Sequence, residues 1–237
     1  MPQRNSSTLK ARTRPCAGLP LLLLTLGSWL ACALPARADG QIWVLASVTK
    51  TLAVDWRLNV DFAPRWEQDA SDYSRNVLRA QIARALGKQV AVGFGYEFTQ
   101  PQSPIVRREH RIWEQVQVQQ RLGAWTLSHR GRVEQRWLRL APSVVVRTRY
   151  QLRAMHPIAR SHRWSWLLLD ELLYTLRGTA LGPQQGIDRH RLGGGISRVL
   201  SAHVTVEGGY TWQYLNRPRP LPDQNDHFAV LSLFARY

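Results

Sequence analysis

The run Arg130-Gly131-Arg132-Val133-Glu134-Gln135-Arg136 places three guanidinium groups and a carboxylate at every second position, with small, apolar or amide residues between them. Forks and carboxylates on one face can form charge-assisted hydrogen bonds, and surplus forks can hold a phosphate or carboxylate from outside. The same chemistry recurs at Arg57, Arg79, Glu97, Glu109, Arg111, Arg147, Arg149, Arg153, Glu171, Arg191 and Glu207. Two roles follow for this set. One is a network that fills and stiffens an interior; the other is a path or site for an anionic solute or a lipid phosphate.

Catalytic patterns are weak by comparison. Ser128-His129 and Ser161-His162 are adjacent pairs, and neighbours on a strand point to opposite faces, so neither pair makes a nucleophile and base by itself. No G-x-S-x-G elbow is present. His156, His162, His190, His203 and His227 lie on separate segments without short ligand spacing, which points to no metal and no cofactor. The reading is therefore of a protein that is not an enzyme.

The elements that carry these residues have a period of two. Leu52, Val54, Trp56, Leu58, Val60 and Phe62 alternate with Ala53, Asp55, Arg57, Asn59 and Asp61. Val90, Val92, Phe94, Tyr96 and Phe98 lie opposite Gly93, Gly95 and Glu97; Val146, Tyr150 and Leu152 lie opposite Arg147, Arg149 and Arg153; Val204, Val206, Tyr210 and Trp212 lie opposite Glu207 and Gly209. Each strand has a greasy face and a polar one. Candidate strands run near 41–49, 52–66, 73–86, 88–99, 108–121, 124–138, 143–155, 163–176, 187–199, 203–215 and 226–237. Most exceed the usual five or six residues of soluble sheets and reach the roughly nine to eleven that a tilted membrane strand requires.

Tight turns at 86–88, 122–124 and 200–202 are interleaved with polar stretches at 67–72, 99–107, 177–186 and 216–225, as in an outer-membrane barrel whose short turns face the periplasm. Trp66, Tyr73, Phe98, Trp113, Trp137, Tyr174 and Tyr214 fall beside the longer loops and are read as an interfacial girdle. Leu231, Leu233, Ala235 and Tyr237 resemble a terminal insertion signal for the outer-membrane assembly machinery. The fold expected is an antiparallel transmembrane β-barrel of ten to twelve strands. Eleven segments conflict with the even number of single-chain bacterial barrels, so either 41–48 is no regular wall strand or one long segment hides a break.

Arg4, Lys10, Arg12 and Arg14 precede the apolar run Leu19 to Leu34, and Ala36-Arg37-Ala38 is an A-x-A site, so residues 1–38 read as a signal peptide and 39–237 as the barrel. Cleavage removes Cys16 and Cys32, leaving no disulfide. The whole chain carries +16 and the part after Ala38 carries +11; 29 of its 32 basic residues are arginine. Such a surplus needs an anionic partner; export excludes nucleic acid and leaves membrane lipid or an anionic small molecule.

Several motifs together resemble a known family. Glu109-x-Arg111, Arg130 to Arg136, Asp170-Glu171, Asp188-Arg189-His190-Arg191 with Gly193 and Gly195, and Glu207-Gly208-Gly209-Tyr210 are similar to the bacterial domain of unknown function family 2490. The resemblance spans nearly all of the chain after the leader, with His190 standing where the family pattern has asparagine. It implies an outer-membrane β-barrel and names no reaction. The function expected is that of a structural or narrow-pore protein for something anionic. The alternatives are a lipid-modifying enzyme of the outer membrane and a soluble periplasmic lipid-binding barrel.

Overall fold

A computed structural model describes residues 37–102, 108–159, 161, 163–179, 182–217 and 220–237. The expected leader lies outside these residues except for Arg37 and Ala38, which open the first strand. Eleven strands follow in order: β1 (Arg37–Ala53), β2 (Trp56–Glu67), β3 (Asp72–Ala85), β4 (Val90–Pro101), β5 (Glu109–Leu122), β6 (Trp125–Leu138), β7 (Val145–Pro157), β8 (Trp164–Arg177), β9 (Gly186–Val199), β10 (Val204–Leu215) and β11 (Gln224–Arg236).

These strands close into one barrel in which each pairs with its sequence neighbours, antiparallel throughout except where β1 meets β11. That closing pair is parallel, from Arg37↔Gln224 to Thr49↔Arg236. It corrects the expectation of an even count. An even number is required only when every pair is antiparallel, and a single parallel seam lets eleven strands close. The segment 41–48 is accordingly a full wall strand, bonded to β2 on its other side from Ile42↔Trp66 to Ala53↔Trp56.

The connections separate into two ends. Residues 54–55, 86–89, 123–124, 158–163 and 200–203 link strands at one end; 68–71, 102–108, 139–144, 178–185 and 216–223 link them at the other. The connection at 68–71 is shorter than the sequence implied, because Gln68, Asp69 and Ala70 all take positive φ values of 52°, 55° and 62° and turn the chain within four residues.

Burial follows the alternation, inverted relative to a water-soluble core. Large apolar side chains such as Phe62, Leu78, Phe94, Val116, Leu168, Leu172, Leu192 and Leu231 are exposed on the outside. The buried side chains are mostly polar or charged, including Glu97, Glu109, Arg111, Glu134, Arg147, Glu171 and Asp226; Val77, Trp113, Leu173 and Phe228 are the larger apolar exceptions.

Six of the seven predicted girdle aromatics lie on outward-facing positions, with Trp66 against Tyr73 at 5.3 Å and Phe98 against His110 at 5.0 Å. Trp113 does not. It shares the face of Arg111 and Gln115, so it points inward and is buried, and Gly95 on β4 lies under its ring. A second aromatic belt, unforeseen in the sequence, rings the short-turn end: Trp56, Trp125, Trp164 and Tyr237, with Arg84 and Arg198 standing over Trp56 and Trp164.

Candidate functional site

Strict alternation delivers most of the predicted charged residues to the interior, and there they meet across strands. Glu134 on β6 is the hub. It accepts from Arg147 Nε at 2.9 Å and Nη2 at 2.6 Å and from Arg149 Nη1 at 2.9 Å, with Arg111 at 3.6 Å and Arg132 at 3.7 Å beyond hydrogen-bond range. Arg149 reaches onward through Nη2 to Glu171 at 2.6 Å. Glu171 also accepts from Arg191 at 2.9 Å, Arg130 at 3.3 Å and Gln151 at 3.0 Å.

Toward the long-loop end, Glu109 is clasped by Arg111 at 2.7 Å and by a two-pronged Arg136 at 2.6 and 3.1 Å. Glu97 lies 3.3 Å from Arg111 and 3.9 Å from Arg79, and Arg79 lies 3.4 Å from Asp61. A chain of opposite charges therefore runs unbroken from Asp61 on β2 to Arg191 on β9. Beyond Asp61, each carboxylate of this chain is buried and serves at least two forks, the arrangement in which charge-assisted bonds compensate the loss of water.

Arg153 pairs with Glu207 nearer the short-turn end, where Ser197 Oγ also donates to Glu207 at 3.2 Å. Arg57 stands apart, at the mouth of the cavity described below. All fifteen predicted lumen residues thus face inward.

Other members of this interior escaped the sequence reading. Asp188 accepts from Arg147 Nη1 at 2.7 Å. It is the extra residue of a bulge, since Leu173 pairs with Arg189 and Tyr174 with Ile187, so it turns inward where plain alternation would place it outside. Gln213 accepts from Arg191 Nε at 2.7 Å and donates to Asp226 at 2.8 Å. Trp43 stacks on Phe228 at 4.1 Å with Arg65 over its other side at 3.9 Å. Asp61 was legible, lying in phase with Arg57 and Asn59.

The filling is uneven. At the long-loop end the side chains of Ser74, Val77, Glu134, Val145, Leu173, Thr175 and Phe228 are wholly enclosed. Along the rest of the interior the side chains leave a cavity of about 1000 Å³, lined from Arg75, Thr99 and Glu109 toward the long-loop end to Ala85 and Arg236 at the short-turn end. Its lining includes Gly87, Lys88, Gln89, Arg236 and Tyr237 at the short-turn end, and among the described residues none from the connections at the other. Fourteen arginines and Lys88 line it, against the carboxylates of Asp61, Glu97, Glu109, Glu171 and Glu207.

Ser128 and His129 do not converge. Ser128 accepts from Gln117 inside at 3.1 Å while His129 meets the Tyr150 hydroxyl outside at 2.7 Å. Ser161 Oγ accepts from the backbone N–H groups of Arg163 and Trp164, both at 3.1 Å, in a turn, and His162 lies outside the described residues. His190 is also outward, 2.8 Å from Asp170.

Comparison with known proteins adds relatives but no activity. The profile of the protein family of unknown function DUF2490 matches residues 40–225. An uncharacterized protein of Methylorubrum extorquens is 27% identical over 207 residues, covering 84% of this chain and 88% of its own. No solved structure matches.

Proposed function

Because the chain belongs to the DUF2490 family, which carries no assigned activity, we propose from its geometry that it is an outer-membrane β-barrel that holds anionic solute in a blind, arginine-lined vestibule. The observation that carries this reading is the inversion of the faces: apolar side chains outside, buried charge inside. A soluble lipid-binding barrel would turn its apolar face inward. Strands of 12 to 17 residues exceed the roughly nine to eleven that cross a hydrocarbon layer, and aromatic belts at both ends match two interfaces.

With the short turns in the periplasm, the vestibule opens to the periplasm and the ion-paired network seals the outer side. Cleavage after Ala38 would shorten β1 by two residues and leave its pairing with β2 intact. The strands would be inserted by the outer-membrane assembly machinery, with membrane lipid as the surrounding partner. A lipid-modifying enzyme has less support, since Ser128 and His129 part to opposite faces.

The test combines cell fractionation with single-channel recording of the purified protein in a planar bilayer. Recovery in the outer-membrane fraction and insertion without steady current are expected. Replacing Arg132, Arg149 and Arg191 by alanine should thin the network and give an anion-selective leak that the unaltered protein lacks. A large, stable current in the unaltered protein would replace the vestibule by an open pore, and recovery as a soluble periplasmic protein would remove the membrane reading.

A further inference from the structure

The two sides of the vestibule differ in kind. On β3, β5, β6 and β7 the wall is basic and amide-rich, with Arg79, Gln115, Arg130 and Arg132 at mid-depth. On β8 and β11 it is largely apolar, with Leu167, Leu169, Val230 and Phe234 beside Ser232, and Glu171 and Arg236 beyond them. Between these, β9 and β10 present glycines. A Cβ at Gly193 would come within 2.6 Å of Thr211 Oγ1, and one at Gly209 within 2.6 Å of the Gly194 carbonyl, so this stretch stays free of side chains.

Arg132 is the unusual cation of the basic side. Its Nε and Nη2 both donate to the neutral amide oxygen of Gln115, at 3.2 and 2.7 Å, and its guanidinium lies over the Trp113 ring at 4.3 Å. Its nearest carboxylate, Glu134, is 3.7 Å away and already accepts from Arg147 and Arg149. Neighbouring Arg130 shares Glu171 with Arg149 and Arg191. Neutral partners therefore hold Arg132 in place without cancelling its charge, which is the condition for a preformed anion receptor.

We propose that the vestibule binds a single-chain amphipathic anion, its carboxylate or phosphate head at Arg132 and Arg130 and its acyl chain along Leu167, Leu169, Val230 and Phe234 toward the mouth. This deepens the anion-vestibule reading above and rests on it. A cavity of about 1000 Å³ is at the upper end of the range of small-molecule sites, ample for one such chain.

Equilibrium binding of radiolabelled palmitate to the full barrel in a non-ionic detergent tests it, with hexadecanol, acetate and inorganic phosphate as competitors. One palmitate per chain is expected, displaced by unlabelled palmitate and not by equal concentrations of the other three. Arg132→Gln should raise Kd at least tenfold. Leu169→Gln, which leaves the ion pairs intact, should do the same, with folding of each variant checked by its heat-shifted gel mobility. Palmitate binding as tight in both folded variants as in the unaltered protein would mark partition into detergent and overturn the proposal. Phosphate or acetate binding without preference for palmitate would overturn it while leaving the anion vestibule standing, and failure of all four probes would remove both.

Discussion

Arg147 grips Glu134 through two nitrogens, Nε at 2.9 Å and Nη2 at 2.6 Å, and the carboxylate has no exposed surface at all. Glu134 is also the nearest anion to Arg132 and a partner of Arg149. Removing its charge leaves several enclosed cations under-compensated, and breaking a buried pair from one side costs about 3–5 kcal/mol. Glu134→Gln is expected to lower the unfolding free energy of the folded, heat-shiftable form by that order, read as a fall in its urea midpoint. An unchanged midpoint would mean the network contributes nothing to stability.

Gly95 makes a second, steric prediction. Any Cβ there would overlap the Trp113 indole, which is fixed by its Nε1–H donating to Gln81 at 3.2 Å and by Arg132 stacked on it. Gly95→Val should destabilise the barrel by about 1–3 kcal/mol through overpacking. Pairing it with Trp113→Leu should recover part of the loss. Additive destabilisation in the double variant would show that the contact is not the cause.

The alternation at Leu52–Phe62 and Val146–Arg153 made the strands and their two faces readable, because in a barrel the period of two maps directly onto inside and outside. It also assigned all fifteen charged residues to the lumen. What it missed are departures from that period and contacts between distant strands. Asp188 turns inward only because of a bulge against β8, and Trp113 was assigned to the girdle by its distance from a loop although its phase with Arg111 placed it inside. The parallel seam was hidden because a strand's sequence carries its faces and not its partner's direction. How far the lumen is filled depends on which long side chains fold across it, a property of eleven strands together.

Thiol labelling should locate the mouth. Cysteine at Ala83, which lines the cavity, is expected to react with a membrane-impermeant maleimide only after the outer membrane is permeabilised, since the mouth faces the periplasm in the proposed orientation. Cysteine at Thr175, enclosed near the long-loop end, should stay unreactive in both conditions. Labelling of Ala83→Cys on intact cells would reverse the orientation, and labelling of Thr175→Cys would contradict the seal.

The seam between β1 and β11 can be fixed covalently. Val48 and Ala235 are register partners on the outward face, and the native cysteines, Cys16 and Cys32, both fall in the expected leader. Paired strands lie about 4.8 Å apart, within the Cα separation of roughly 4.4–6.8 Å that a disulfide bridges. Val48→Cys with Ala235→Cys should therefore cross-link on mild oxidation, giving a circularised barrel whose denatured form runs faster on a gel until reduced. Shifting one partner by two residues, as in Val48→Cys with Leu233→Cys, should cross-link much less. A ten-stranded closure of β2 on β11 would release β1 from the wall, and then neither pair would have a preferred register. Equal cross-linking of both pairs would thus refute the eleven-stranded seam, whereas selective bridging of the first pair would establish its register in the folded protein.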